Sequence, residues 1–408
     1  MTEDQTDRRR FLQLAGAGAL ATGAAAVIAS QSALSEEPSK EEGGGKLAVK
    51  AQYRTLGRTG KKVSKIGVGT GSLTSSAVLD RAIDLGLNYI DTAHCYMDGL
   101  SEKTLGKVLK RRRDEVVLTT KWHPGAKAKR SEMLKSLDES LKRLQCDHVD
   151  CVLVHSVGSV NRIRNPEVFE AFEIAKKAGK VSHLGMSSHS PKMVQVLREA
   201  IRLKKYEIVL IKYSYMAYPE VGKVIDELYN AGIAVTVMKT RDGARHANLK
   251  AFDKGDGFVA SALRWASSNP KIASTVLSAK SFNDVEMFAK VAGQALSHNQ
   301  LQHDVALLDE YARTFDHVQC RWCGECESAC PSGVKVWEVD RASMYYERYG
   351  EERRGMGMYA SLGMPAHACT GCAAPCESAC PHEIPIHEQM VHAHDMLSPI
   401  HAPEFDLG

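Results

Sequence analysis

From Lys65 onward, short apolar runs alternate with longer stretches in which apolar residues recur every three or four positions. The runs are Lys65–Val68, Asn88–Ile90, Glu115–Thr120, His148–Val154, Lys180–Met186, Glu207–Ile211, Ile233–Val237 and Ala273–Leu277. Each has the length and apolar character of a buried strand. Between them the period is helical: Leu134, Leu137, Leu141 and Leu144 share one face behind Ser131, a candidate N-cap. Eight such units predict an α/β chain closed into a (β/α)8 TIM barrel, with its chemistry at the C-terminal ends of the strands. A doubly wound sheet is the alternative. It needs a G-x-G-x-x-G turn after its first strand, and Gly67-Val68-Gly69-Thr70-Gly71 does not supply one.

Composition changes this picture little. The 408 residues are 44% hydrophobic and 25% charged, as expected of a globular chain larger than one domain. The net charge of +4 is mild, and Lys110-Arg111-Arg112-Arg113 ends a predicted helix, where cations complement the helix dipole, so no nucleic-acid partner is expected. Cys95, Cys146 and Cys151 lie scattered in the apolar-patterned region and read as ordinary buried thiols.

The ends of the chain differ from its middle. Arg8-Arg9-Arg10-Phe11-Leu12 precedes an Ala- and Gly-rich apolar run to about Ile28, followed by small residues. The stretch 1–33 resembles a twin-arginine (Tat) signal, with Asp7 where Ser or Thr is usual. The resemblance implies the Tat export machinery as a partner and a periplasmic or otherwise exported protein, with a membrane anchor if the segment is retained. Residues 34–52, charged and glycine-rich, read as a flexible linker, and 53–298 as the barrel.

Within the barrel, the predicted strand ends carry Asp91 with Tyr96 just beyond, Lys121, and His155. A carbonyl being reduced needs a proton on its oxygen. A tyrosine, with an ordinary pKa near 10, can give one if an ammonium stabilises its phenolate. Lys121 is that ammonium, Asp91 its counter-charge, and His155 a donor to the carbonyl oxygen. The set resembles the Asp-Tyr-Lys-His tetrad of the aldo-keto reductases. Tyr53-Arg54-Thr55-Leu56-Gly57-Arg58-Thr59-Gly60, Leu105-Gly106, Leu141-Lys142-Arg143-Leu144 and Gly185-Met186-Ser187 agree with that family over some 245 residues. Trp122 and His123, which follow Lys121, are expected to wall the pocket.

It also implies NADP(H) or NAD(H) across the barrel mouth, held by Gly69, Thr70, Ser187, Ser188, Met238, Lys239, Ser278, Lys280 and Ser281. Three positions depart from the family. Ser188 stands where many members have Asn, Leu210 where a Gln usually holds the carboxamide, and Met238 where a stacking Tyr is frequent. A periplasmic destination implies a nicotinamide bound before export, or none.

The stretch 299–408 begins with a predicted helix, Asp304–Phe315, and then runs Cys320-x2-Cys323-x2-Cys326-x3-Cys330-Pro331. Cys369-x2-Cys372-x3-Cys376-x3-Cys380-Pro381 repeats it with one extra residue. The spacing is that of bacterial ferredoxins, so the tail resembles a small, mostly α-helical ferredoxin-like domain with two [4Fe-4S] clusters. By that pattern Cys320, Cys323, Cys326 and Cys380 share one cluster and Cys369, Cys372, Cys376 and Cys330 the other. Zinc and disulfides are the alternatives. His387, His392 and His394 fall on a terminal helix and read as packing or surface residues.

The sequence therefore predicts an exported oxidoreductase acting on a small, sugar-like carbonyl or alcohol, with an electron donor or acceptor that the chain does not name. Its alternatives are an iron–sulfur oxidoreductase independent of nicotinamide and a redox-responsive binding protein on the same barrel.

Overall fold

The computed structural model describes residues 51–241, 252 and 257–398. The expected signal, and residues 34–50 of the expected linker, lie outside them. Among the described residues no helix is long and apolar enough to cross a membrane.

A two-stranded antiparallel hairpin comes first: β1 (Tyr53–Thr55) and β2 (Lys62–Ser64). Eight parallel strands follow: β3 (Ile66–Gly69), β4 (Tyr89–Asp91), β5 (Val117–Trp122), β6 (Val149–Val154), β7 (Val181–Ser188), β8 (Ile208–Lys212), β9 (Ala234–Met238) and β10 (Ile272–Ser278). They pair in sequence order, and β10 closes on β3. Every expected strand is present. Most run one or two residues further toward the C-terminal rim than the apolar runs suggested, several of them into polar residues such as Asp91, Ser188, Lys212 and Ser278.

The hairpin plugs one end. Leu56 and Val63 are fully buried with Tyr89, Val117 and Ala234. Gly57 makes this fit possible: its φ is +50°, and a Cβ there would lie 2.6 Å from the Ala234 nitrogen. Around the barrel, Leu137, Leu141 and Leu144 are buried and Leu134 packs against the same core. Their helix is Arg130–Leu144, so Ser131 lies inside it and is not its cap.

The helix His298–Phe315 starts six residues before the predicted Asp304, at an N-cap where the Ser297 side chain accepts from the Gln300 N–H over 3.2 Å. It packs on Gly257–Ser268 through the buried pair Arg264–Asp304. Beyond it come the first cysteine run, then Val336–Ser343, a π-helical turn Met344–Arg348 and Glu352–Ser361, then the second cysteine run and Ile386–Leu397. His394 and His392 are packing and surface residues: His394 bonds the Tyr359 hydroxyl (2.8 Å) and His392 faces Glu347 (3.0 Å).

Candidate active site

The ends of β4, β5 and β6 bring the four expected residues together. Lys121 is buried, and its Nζ donates to Asp91 Oδ2 and to the Thr92 carbonyl, each over 2.7 Å. After β4 the chain makes a tight turn, Tyr96–Gly99, in which Met97 and Asp98 adopt φ near +50°. Such backbone is strained for side-chain-bearing residues and occurs where a site demands it. Here the turn points the Tyr96 ring at Lys121, whose Nζ lies 4.7 Å from the ring centroid. The His155 ring meets the Tyr96 ring edge-on at 5.8 Å. Tyr96, Lys121 and His155 open onto a cavity of about 950 Å³.

The electrostatics set the protonation states. Burial pulls the Lys121 ammonium down, but Asp91 and Tyr96 outweigh it and hold its proton. Asp91 is itself pushed up by burial against the pull of Lys121, and its Oδ1 has no hydrogen-bond partner. Tyr96 is pushed up to about 12, because burial outweighs Lys121. The expected lowering by Lys121 is therefore present but does not win, and Tyr96 rests as a protonated phenol. His155 is held well below its ordinary value by burial, then by Lys121 and His123, so its ring is neutral. Its Nδ1 lies 3.5 Å from Cys95 Sγ, and a thiol proton directed there leaves Nε2 as the N–H end.

Two sequence expectations change at this point. Cys95 is exposed at the mouth, because the turn that presents Tyr96 carries it outward. Trp122 is buried in the apolar layer outside the barrel and does not wall the cavity, because successive strand residues face opposite sides. His123 does line it. Cys95, His123 and His155 offer ligand atoms within 4.8 Å of one another, a grouping the sequence gave no reason to expect.

The positions expected to hold a nicotinamide are present but occupied by the protein itself. Lys239 Nζ donates to the Tyr345 hydroxyl over 2.9 Å, and Lys280 Nζ donates to the Tyr349 carbonyl and pairs with Glu351. Ser72 donates to Glu351, and Arg354 Nη1 bonds Glu351 over 2.8 Å. Ser281 caps the helix Phe282–Gly293 with Asp284. Ser187 accepts from the Ser156 N–H, and Ser188 donates to the Val157 carbonyl. Gly69, Thr70, Met238 and Ser278 border a cavity of only about 90 Å³, roofed by Tyr345, Tyr349, Glu351 and Arg354. Ligand pockets run to roughly 300–1,000 Å³. A dinucleotide therefore does not fit this groove: the segment Tyr345–Arg354 lies across it as a strap. No periodicity marks this strap as a barrel contact; its two adjacent tyrosines and its arginines were the available signal.

The cysteines fit clusters. All eight are free thiols, and Cys320, Cys323, Cys326 and Cys380 line a single cavity, so one cysteine of the second run sits among three of the first. Burial pushes the Cys326 thiol up to about 12, reinforced by the nearby sulfurs of Cys323, Cys380 and Cys376. Cys369 is pushed up to about 11 by burial, then by Cys330, Cys376 and Cys372. The exchange of fourth cysteines between runs is the arrangement that the ferredoxin pattern implies. Backbone N–H groups of Trp322 and Val334 donate to Cys320 and Cys330 sulfurs (3.4 and 3.2 Å). Such bonds stabilise thiolate charge.

The sequence reading missed the groups that the tail brings to the mouth. Arg341, Tyr345, Arg353 and Arg354 line the large cavity together with Arg162 and His189 of the barrel.

Comparison with known proteins agrees with this architecture. Residues 65–244 match the aldo/keto reductase family and residues 319–384 match the 4Fe-4S dicluster domain. L-galactose dehydrogenase of Arabidopsis thaliana is 36% identical over 156 residues, 34% of this chain and 49% of that protein. L-glyceraldehyde 3-phosphate reductase of Escherichia coli (strain K12) is 30% identical over 206 residues, 45% and 59% of the two chains. The chain thus spans about half the length of these curated relatives. Among solved structures, the aldo-keto reductase AKR11C1 from Bacillus halodurans superposes with a TM-score of 0.54 at 25% identity, covering 63% of this chain and 96% of that one.

Proposed function

Because this chain joins an aldo/keto reductase domain to a 4Fe-4S dicluster domain, we propose that it interconverts a small carbonyl compound and its alcohol at the barrel mouth, drawing electrons from the tail and not from a dissociable nicotinamide. The observation that carries this reading is the strap Tyr345–Arg354, which fills the dinucleotide groove yet leaves Tyr96, Lys121 and His155 facing an open cavity.

Reduction of a carbonyl to an alcohol takes up two electrons and two protons. The proton for oxygen leaves the Tyr96 hydroxyl, Lys121, held by Asp91, stabilises the phenolate that remains, and the second proton, which becomes the hydrogen on carbon, comes from water admitted by the open cavity. His155 donates from Nε2 to the same oxygen and fixes its direction. The eight cysteines would hold two [4Fe-4S] clusters, which when bound supply or accept electrons one at a time. Relatives named for L-galactose and L-glyceraldehyde 3-phosphate favour a small, sugar-like substrate.

The twin-arginine stretch Arg8-Arg9-Arg10 supports export by the Tat route to the periplasm, with clusters inserted beforehand and an exchange partner for electrons outside this chain. Residues 1–33 would then be the signal, 34–52 the linker, 53–298 the barrel and 299–408 the cluster domain.

The test is an anaerobic steady-state assay of carbonyl reduction by the cluster-loaded protein, run with NADPH and in parallel with a reduced low-potential dye. Turnover with the dye alone is expected. Turnover with NADPH, together with nicotinamide released on denaturation, would return the reading to a conventional reductase. A Tyr96→Phe protein that keeps full function would make the barrel a redox-responsive binding module.

A further inference from the structure

The cavity in front of Tyr96 is unevenly charged. Arg162, from the helix Val160–Arg164, donates from Nε, Nη1 and Nη2 to the carbonyls of Pro124, Ser156 and His155 (3.0, 2.7 and 2.9 Å). These bonds aim the guanidinium but do not neutralise it, and no carboxylate of the described residues lies within 4.0 Å. Across the cavity, Arg341 enters from Val336–Ser343 of the cluster domain. Its Nη1 donates to His189 Nε2 over 3.1 Å. Its Nε is buried without an acceptor, and among the described residues no carboxylate lies within 4.0 Å of it.

A cation held largely out of water without a counter-charge costs free energy, and folding tolerates it where a ligand completes it. Among the described residues only Tyr345 and Glu338 favour the Arg341 charge, and neither bonds it. His189, which accepts from Arg341 and lies 2.9 Å from the Ser156 hydroxyl, is held well below its ordinary pKa by burial and by Arg341, so it remains neutral. Lys192, Lys335 and Arg353 add positive charge along the wall, against Asp98, Glu327 and Glu338. The same field opposes a dication on Cys95, His123 and His155, despite their spacing.

We propose that the mouth cavity binds a substrate carrying a carboxylate or phosphate group, held between Arg162 of the barrel and Arg341 of the cluster domain, with its carbonyl end at Tyr96. This rests on the reading of Tyr96 as the acid–base residue and adds the substrate class. A guanidinium edge takes two oxygens of such an anion at once, which fixes both distance and angle. The cluster domain then does more than cover the groove: it supplies half of the recognition site, and the barrel alone is incomplete.

The test uses full-length, cluster-loaded protein under anaerobic conditions and measures equilibrium binding of D-glucuronate, D-glucose 6-phosphate and neutral D-glucose by calorimetry. At least one anion should bind more tightly than D-glucose, and the tighter of the two identifies carboxylate or phosphate. Arg341→Met and Arg162→Met should each weaken anion binding roughly 10- to 100-fold, and Arg341→Lys less, with the visible cluster absorption unchanged as the control for folding. Equal binding of D-glucose, or no Arg341-dependent binding of either anion, overturns the proposal. Tyr96→Phe separates the two readings. The loss of anion affinity caused by Arg341→Met should persist in the Tyr96→Phe background, so a failure of the acid–base role would appear in turnover alone.

Discussion

The Lys239 ammonium at the end of β9 donates to the Tyr345 hydroxyl over 2.9 Å, committing a cation of the barrel rim to a phenol of the cluster domain. Arg354 completes the clasp: its Nη2 bonds the same hydroxyl at 3.1 Å, and its guanidinium lies 3.8 Å over the Tyr345 ring. In a barrel that bound a dinucleotide, a lysine at this place would face the cofactor. Here it faces the protein, and the groove beside it is lined by the strap that holds it.

This clasp makes the strap sensitive to pH. Burial works against charge on Tyr345, but Arg354 and Lys239 overcome it and lower the phenol to about 7. A group whose folded pKa is depressed adds stability that is complete above its unfolded value, near 10 for tyrosine, and is lost as pH falls through the folded value. The parent protein should therefore gain urea resistance relative to Tyr345→Phe as pH rises from about 7 toward 10. A difference between the two that stays flat over this window would show that Tyr345 does not titrate there.

Replacing Tyr96 by Phe removes the hydroxyl that Lys121 faces at the cavity. Positioned proton transfer is worth roughly 10²–10⁴-fold in rate, so dye-driven carbonyl reduction should fall by that much. The cluster spectrum should not change. A loss smaller than tenfold would assign the proton to another group.

Ligation across the two runs predicts a pattern of paired losses. Cys320→Ala and Cys380→Ala should each remove the same half of the bound iron, and the double variant should remove no more than either alone. Cys320→Ala combined with Cys330→Ala should remove both halves. If Cys380→Ala instead spared the iron that Cys320→Ala removes, each run would hold its own cluster.

The barrel and its four strand-end residues were legible because their signals are local: eight apolar runs of the right length, and polar residues where each run stops. The cysteine runs were legible for the same reason, since ligand spacing is written directly into the chain. What was not legible joins parts far apart in sequence. Lys239 and Tyr345 are 106 residues apart, Lys280 and Tyr349 69, and His189 and Arg341 152. Nothing in the period around Tyr345 shows that it meets the barrel, so Lys239 and Lys280 read as cofactor ligands until the strap is seen to hold them. Cys95 misled because an exposed turn follows its strand, and Trp122 because neighbouring strand positions alternate between inside and outside.

The junction between barrel and cluster domain offers a stability test free of cofactor chemistry. Asp304, fully buried, accepts from Arg264 through both carboxylate oxygens at 2.7 Å, from Ser261 at 2.8 Å and from Gln300 at 3.1 Å. Removing one partner of a buried, hydrogen-bonded pair typically costs about 3–5 kcal/mol. Asp304→Ala should thus lower the urea midpoint strongly, whereas an Arg264→Met, Asp304→Leu double variant, which removes both charges of the pair, should recover part of the loss. Because His298–Phe315 leads directly into the first cysteine run, the single variant should also shed iron at lower denaturant than the parent. If iron release stayed tied to the parent's midpoint while the barrel melted early, the cluster domain would be folding independently of this junction.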